Sequence, residues 1–243
     1  MRGVLAFKWA KNPQDARVGT DGSVDWSGAK MAVTDDDAAA AEVARDLLGD
    51  GSIVGLTLGD GDASWAAARG AASTVCLTDA SPDPDARVTA DALAAGVQHI
   101  GEAEVVVIGD SPWDPLVPAC LGARLGWRTV GGVTSAVVDG DHVRVTRRTS
   151  TGTQVLDVDP PVVLAVRARR AEQRTPGMRD VLAARKKPLE KLTAEALGVA
   201  RQGGAVVMGT ALPETTPARV IDGSDVEGAV DQLVRALRSE GVL

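Results

Sequence analysis

Short apolar runs alternate with alanine-rich stretches along the first half of the chain. The apolar runs lack polar alternation, which predicts strands buried on both faces at residues 4–7, 53–58, 75–77 and 105–108. The stretches between them predict helices at residues 35–48, 63–72, 88–100 and 116–125. Such alternation predicts an α/β fold in which helices flank a mostly parallel sheet.

The pattern changes after residue 128. Short strands with little helix between them are predicted at residues 133–138, 142–147, 153–158 and 162–166. Gly140 lies in a turn typical of a hairpin, so these strands are expected to extend the sheet at its edge.

The last part of the chain predicts an arm that ends in an amphipathic helix. A Gly-, Thr- and Pro-rich stretch precedes a helix at 226–237, whose apolar face carries Val226, Val230, Leu233, Val234 and Leu237. We therefore expect an α/β domain over residues 1–200 and a C-terminal arm over residues 201–243, with loops at 78–87 and 201–219.

Composition and charge exclude several classes of protein. The 243 residues carry a net charge of −7, whereas nucleic-acid-binding domains are usually basic. The two cysteines and two histidines are widely spaced, which predicts neither a disulfide framework nor a metal site. No apolar stretch suits a signal peptide or a spanning helix, so we expect no membrane insertion and a cytoplasmic location.

One segment has a charge opposite to that of the whole chain. Residues 167–191 hold nine lysine and arginine residues against three acidic ones, a local balance of +6. Such a segment is either a solvated basic surface or a docking segment for acidic partners. A helix of two turns is expected at 180–187, ending before Pro188.

Ligands of open α/β sheets bind beyond the carboxyl ends of the strands, and three such ends are visible. Lys8 follows the first strand, where it would approach a phosphate or be exposed. Residues 58–64 contain glycines that could admit a phosphate, but Asp60 and Asp62 would repel it, so a structural turn is favoured.

The third strand end, residues 109–114, predicts either an adenosine site or a turn with no ligand. Ser111 and the backbone could hold the nucleoside, and Trp113 could stack on its adenine. The other tryptophans are expected to be buried in the core or an interface.

Thr34 and Asp37 predict a capping box at the start of the first long helix. This structural role is sufficient to explain the acidic residues there. A divalent metal on the three aspartates lacks a second cluster of ligands, and no catalytic acid–base pair is visible.

Several segments of the sequence, taken in order, resemble the beta subunit of electron transfer flavoproteins, and together they extend over nearly the whole chain. They include the strand at residues 4–8, the segment 30–34 before the acidic helix start, and the segment 145–164. The most specific segment is Met178-Arg-Asp-Val-Leu-Ala-Ala-Arg-Lys-Lys-Pro-Leu-Glu190, which is similar to the family's partner-recognition loop and helix.

The resemblance implies a Rossmann-like fold of the adenine-nucleotide-hydrolase type. It also implies a heterodimer with an alpha subunit that holds most of the FAD, with the C-terminal arm packed on that partner. Electrons would pass from flavin-dependent dehydrogenases to a quinone oxidoreductase or another acceptor, without bond-making chemistry by this chain.

The resemblance further implies site residues. A bound AMP or flavin would contact Ala6, Thr34, Asp35, Asp36, Asp37, Leu58, Gly59, Gly109, Asp110, Ser111, Trp113 and Val117. Partner recognition would use Met178, Val181, Leu182, Arg185, Lys186 and Lys187.

The chain departs from the family pattern at several of these positions. Thr34-Asp35 replaces an Asn-Pro pair, the third loop is shortened, and Pro13 and Asp36 replace aromatic residues near the flavin. These departures indicate a divergent branch, for which the mycofactocin-associated subunits of actinobacteria are one candidate. The alternative function is a stand-alone adenine-nucleotide-binding regulatory module of the universal-stress type.

Overall fold

A mostly parallel sheet forms the centre of the protein. A computed structural model describes residues 1–59, 61–168, 175–199, 204–215 and 218–243. Strands in these ranges are β1 (Gly3–Lys8), β2 (Ala10–Lys11), β3 (Arg17–Val18), β4 (Val24–Asp25), β5 (Met31–Ala32), β6 (Ile53–Leu58), β7 (Ser73–Leu77), β8 (Val105–Gly109), β9 (Arg128–Asp139), β10 (His142–Thr149), β11 (Gly152–Val158), β12 (Val162–Val166) and β13 (Leu189–Leu192).

Nine of the described strands form the central sheet, in the order β11-β10-β9-β12-β8-β1-β6-β7-β13. Every pairing from β9 to β13 is parallel. The β9–β10 and β10–β11 pairings are antiparallel, so the hairpin strands extend the sheet at one edge as the sequence predicts. The remaining short strands form two small antiparallel pairs, β2 with β5 and β3 with β4.

The described helices are α1 (Asp35–Leu48), α2 (Ala86–Ile100), α3 (Val117–Leu125), α4 (Met178–Ala184) and α5 (Val226–Ser239). Thr34 caps α1 through a reciprocal capping box with Asp37, which confirms that prediction.

The sheet has a hydrophobic core on each face. In β1, Leu5 and Phe7 pack on the side of α1, while Val4 and Ala6 pack on the side of α2 and α3. Successive side chains of a strand point to opposite faces, so an uninterrupted apolar strand requires cover on both sides. The α/β fold with a parallel sheet flanked by helices is therefore confirmed.

The prediction of a helix at residues 63–72 is wrong. The segment forms two separate 3₁₀ turns, Ala63–Trp65 and Ala67–Arg69. Gly70 ends the second turn with φ of +113°, in a conformation that favours glycine and stops a helix. Ala66 also packs tightly against Gly55 of β6, where a Cβ atom would lie 2.8 Å from the alanine methyl.

The basic segment differs in detail from its prediction. The helix begins at Met178 and ends at Ala184, earlier than expected, and the chain then adds β13 to the free edge of β7. Residues 169–174 of this segment lie outside the described residues.

The C-terminal arm crosses the domain surface. Thr210 Oγ1 donates to the carbonyl of Gly22 at 2.7 Å, and the Ala205 amide donates to Asp85 Oδ2 at 3.2 Å. The arm has no regular structure over the described residues 204–215. Helix α5 follows with no buried residue, and Val226, Val230 and Leu233 are exposed.

Candidate functional site

A cavity of about 1140 Å³ opens at the carboxyl ends of β1 and β6 and beside the loop that follows β8. We call it the strand-end cavity. Its walls include residues 8–11 and 78–84, together with Ser111, Trp113 and Asp114. Single residues of the 26–37 segment and of the turn after β6 complete the lining. Its size and position are typical of a small-molecule site in an open α/β sheet.

Six predicted nucleotide contacts line the strand-end cavity: Thr34, Asp37, Leu58, Gly59, Ser111 and Trp113. Three others are buried in the packing beneath it: Ala6, Gly109 and Val117. Asp35 is exposed at the first turn of α1, away from the cavity lining. That these residues hold a nucleotide stays a prediction.

Asp36 and Asp110 lie together at a different place, the root of the basic segment. Asp36 Oδ1 accepts a hydrogen bond from the Ala168 amide at 2.6 Å, and Asp110 forms an ion pair with Arg167 at 3.3 Å. Burial raises the pKa of Asp36, while the Ala168 amide and Arg167 oppose that rise. These two carboxylates hold the chain after β12 rather than facing the strand-end cavity.

Lys8 forms the main charged contact at the floor of the strand-end cavity. Its side chain is 4% exposed, and Nζ lies 3.1 Å from Asp114 Oδ2. Asp37 is fully buried beside this pair and accepts a 2.8 Å hydrogen bond from Thr34 Oγ1. Burial raises the pKa of Asp37 and of Asp114, and the positive charge of Lys8 opposes both shifts.

Sequence reasoning missed this role of Lys8, which is buried and paired with Asp114 rather than exposed. Its partner Asp114 is more than one hundred residues away in the chain, and no local pattern joins the two. The pair forms because β1 and β8 are adjacent parallel strands whose carboxyl ends meet.

The loop after β8 offers few free backbone donors. Pro112, Pro115 and Pro118 have no N–H group. The amides of Trp113 and Asp114 both donate to Ser111, at 3.1 Å to its hydroxyl and 3.3 Å to its carbonyl. The amide of Val117 donates to the carbonyl of Asp114.

This loop therefore does not fit the phosphate of AMP. A phosphate at a helix N-terminus needs several backbone N–H donors, and here the prolines lack one while the amides of Trp113, Asp114 and Val117 are already used. The carboxylate of Asp114 also lines the strand-end cavity and would repel a phosphate.

Three of the five tryptophans line the strand-end cavity, namely Trp9, Trp26 and Trp113. The prediction identified only Trp113 as a ligand-facing residue. Trp65 instead stacks on Phe7 in the core, with ring centroids 4.9 Å apart. Trp127 packs against the core on the side of α2 and α3.

Helix α4 presents an exposed apolar pair. Met178 is 77% exposed and Leu182, one turn later, is 53% exposed. Residues four apart share one face of a helix, so the two side chains form one small apolar surface. Val181 is half-buried beside them, and Arg185 and Lys186 are exposed at the end of the helix.

Lys187 is placed differently from its neighbours in the basic run. Its ammonium donates to the carbonyls of Ala67 at 3.0 Å and Ala71 at 2.7 Å. Lys187 therefore fastens the end of the α4 segment to the 3₁₀ turns after β6. Its charge is directed into the protein instead of toward a partner.

We expect Lys187→Met to lower the free energy that holds the α4 segment in place by about 1.5–3 kcal/mol, because the substitution removes a charged donor from two carbonyls. Hydrogen exchange of the amides of α4 should then become faster. The matched control is Lys186→Met, since Lys186 is exposed and its loss should leave exchange unchanged. Equal protection of α4 in both variants would contradict the role given to Lys187.

Two further findings bear on function. Among the described residues, no group of three or more His, Cys, Asp or Glu side chains could hold a metal ion. None of the helices within the described ranges is long and apolar enough to cross a membrane.

Comparison with known proteins gives a consistent result. The family model described as "Electron transfer flavoprotein domain" matches residues 22–197. The electron transfer flavoprotein subunit beta of Mycobacterium tuberculosis strain H37Rv is 27% identical over 209 residues, covering 80% of this chain and 78% of that protein. The subunit of the same name from Mycobacterium leprae is 28% identical over 208 residues, covering 79% and 77%.

Proposed function

The chain belongs to the electron transfer flavoprotein family, and on that premise we propose that it is the beta subunit of a heterodimeric electron carrier. The partner is an alpha subunit. The pair would take electrons from flavin-dependent dehydrogenases and deliver them to a quinone oxidoreductase or another acceptor. This chain would perform no bond-making chemistry of its own.

The observation that carries this proposal is the exposed apolar surface of the C-terminal arm. Val206, Val207 and Met208 are 77%, 62% and 93% exposed, and the apolar face of α5 follows them. So many exposed large apolar side chains in one segment are uncommon on a protein that works alone. An alpha subunit that packs on the arm and α5 would bury it, whereas the stand-alone universal-stress alternative leaves it in water.

FAD, when bound, supplies the group that takes up and releases electrons. We assign it mainly to the alpha subunit, because the strand-end cavity of this chain does not suit a pyrophosphate. The amides of Trp113, Asp114 and Val117 are used within the loop, and carboxylates line the cavity. This chain's contribution is to hold the partner and to present a docking surface to donors.

The docking surface is the apolar pair on α4 with the basic residues that follow it. Met178 and Leu182 would enter an apolar recess of a dehydrogenase, for which a flexible thioether is well suited. Arg185 and Lys186 would attract an acidic rim around that recess and speed encounter. Transient electron-transfer complexes use small interfaces, so a few exposed residues are sufficient.

We also propose that the carrier works in the cytoplasm. Cys76 and Cys120 do not form a disulfide, which agrees with a reducing compartment.

Met178→Ala tests the docking role. We expect the rate at which a reduced dehydrogenase transfers electrons to the flavin-loaded complex to fall at least about fivefold, as for an interface anchor worth more than 1 kcal/mol. Stopped-flow absorbance of the flavin measures that rate. Thermal stability should not change, because Met178 is 77% exposed.

The matched control is Arg179→Ala, on another face of the same helix. An unchanged rate for Met178→Ala with every dehydrogenase that reduces the unaltered complex would remove α4 from the docking surface. A similar loss in both variants would show that the effect is not specific to the apolar pair.

A further inference from the structure

The strand-end cavity has walls suited to a flat aromatic ligand. Trp9, Trp26 and Trp113 line it, and Met31 adds a thioether. Trp9 is held in place, since its Nε1 donates to the Asp62 carbonyl at 3.3 Å. Its ring lies directly over Gly61, where a Cβ atom would come within 2.1 Å of it.

The net charge of the side chains that line the cavity determines which aromatic ligands it can accept. Five carboxylates line it, those of Asp37, Asp62, Asp79, Asp83 and Asp114, against the two ammonium groups of Lys8 and Lys11. Lys8 is already paired with Asp114. The lining is therefore negative by up to three charges, which disfavours an anionic ligand.

The same lining supplies hydrogen-bond acceptors. Asp62 is exposed and Asp83 is half-buried on the cavity wall. A carboxylate accepts hydrogen bonds and donates none, so a ligand hydroxyl or amino group can bond to these side chains. A ligand phosphate has no donor to offer and meets few free amides in the loop after β8.

We propose that the strand-end cavity binds an uncharged aromatic ligand of the nucleoside class and rejects the corresponding phosphate ester. The ring stacks on tryptophan, and hydroxyl or amino groups of the ligand donate to the carboxylates. This assignment concerns the cavity of this chain and does not rest on the proposed electron-carrier function.

Two matched pairs of ligands, adenosine with AMP and riboflavin with FMN, test the proposal by calorimetry on the full chain. Each pair differs only in the phosphate. We expect at least one uncharged member to bind at least tenfold more tightly than its phosphate ester. Equal or tighter binding of the ester in both pairs, or no binding of any of the four, would overturn the proposal.

Asp114→Asn tests the charge argument, because it keeps the shape and removes a negative charge. The ratio of the binding affinity of the uncharged ligand to that of its phosphate ester should fall by at least threefold. If this variant does not fold, Asp83→Asn makes the same test at a half-buried position on the cavity wall. An unchanged ratio in the folded variant would show that these carboxylates do not select the ligand.

Trp113→Leu tests the stacking argument. Loss of one aromatic side chain for stacking should weaken binding of the uncharged ligand at least about fivefold.

Mass spectrometry of ligand extracted from the purified chain gives an independent test. AMP retained in stoichiometric amount through purification would contradict the proposal, whatever the redox behaviour of the complex.

Discussion

Replacing Lys8 by methionine is expected to destabilise the protein by about 3–5 kcal/mol at neutral pH, the usual effect of removing one partner from a buried ion pair. Lys8 and Asp114 are 4% and 16% exposed, and Asp37 is fully buried next to them. Methionine preserves most of the side-chain volume but leaves two buried carboxylates with no positive charge. Urea unfolding of the purified chain, followed by circular dichroism, measures the loss.

The same variant should show a characteristic pH dependence. The folded-state pKa values of Asp37 and Asp114 are already raised by burial, and removal of Lys8 raises them further. A group with a raised folded pKa binds protons more readily in the folded state, so stability rises as the pH falls through that pKa. The deficit of Lys8→Met should therefore shrink as the pH is lowered from neutral.

Lys11→Met is the matched control, because Lys11 is an exposed lysine of the same cavity wall. Its effect on stability should stay within about 0.5 kcal/mol. If Lys8→Met and Lys11→Met unfold at the same urea concentration, the buried pair does not contribute to stability as described.

The second large effect concerns assembly. Leu233→Asp is expected to weaken association with the alpha subunit at least about 30-fold, the effect of losing an interface hot spot worth 2 kcal/mol. Leu233 lies on the apolar face of α5, and no residue of that helix is buried within this chain. The stability of the isolated chain should consequently change by less than about 0.5 kcal/mol.

Gln232→Asp provides the comparison, since it introduces the same charge on the polar face of α5. Biolayer interferometry against an immobilised alpha subunit gives both affinities. Equal affinities for the two variants would show that α5 does not carry the subunit interface, and the search for it would move to other exposed apolar positions.

Much of the fold could be predicted because its signals are local. The uninterrupted apolar runs of β1, β6 and β8 require cover on both faces, and Thr34 with Asp37 marks the start of α1 within three residues. Strand β13 could not be found this way. Its sequence, Leu-Glu-Lys-Leu, is mostly exposed, and it is a strand only because the edge of β7 is there to pair with it.

The candidate site depends on contacts between distant parts of the chain. Trp113 was recognisable because it follows a buried strand directly, but Trp9 and Trp26 reach the same cavity only after folding. Asp36 shows the opposite case. The family resemblance implies a ligand contact for it, while in the structure its carboxylate accepts a hydrogen bond from the amide of Ala168.

The central claim is that this chain is the beta subunit of a flavoprotein heterodimer, and one purification tests it most directly. The chain would be co-expressed with an alpha subunit from the same source, and the ratio of chains and of FAD would be measured in the purified material. The account predicts a yellow one-to-one heterodimer with one FAD per pair. A colourless chain that purifies alone, or a pair with two FAD molecules, would contradict it.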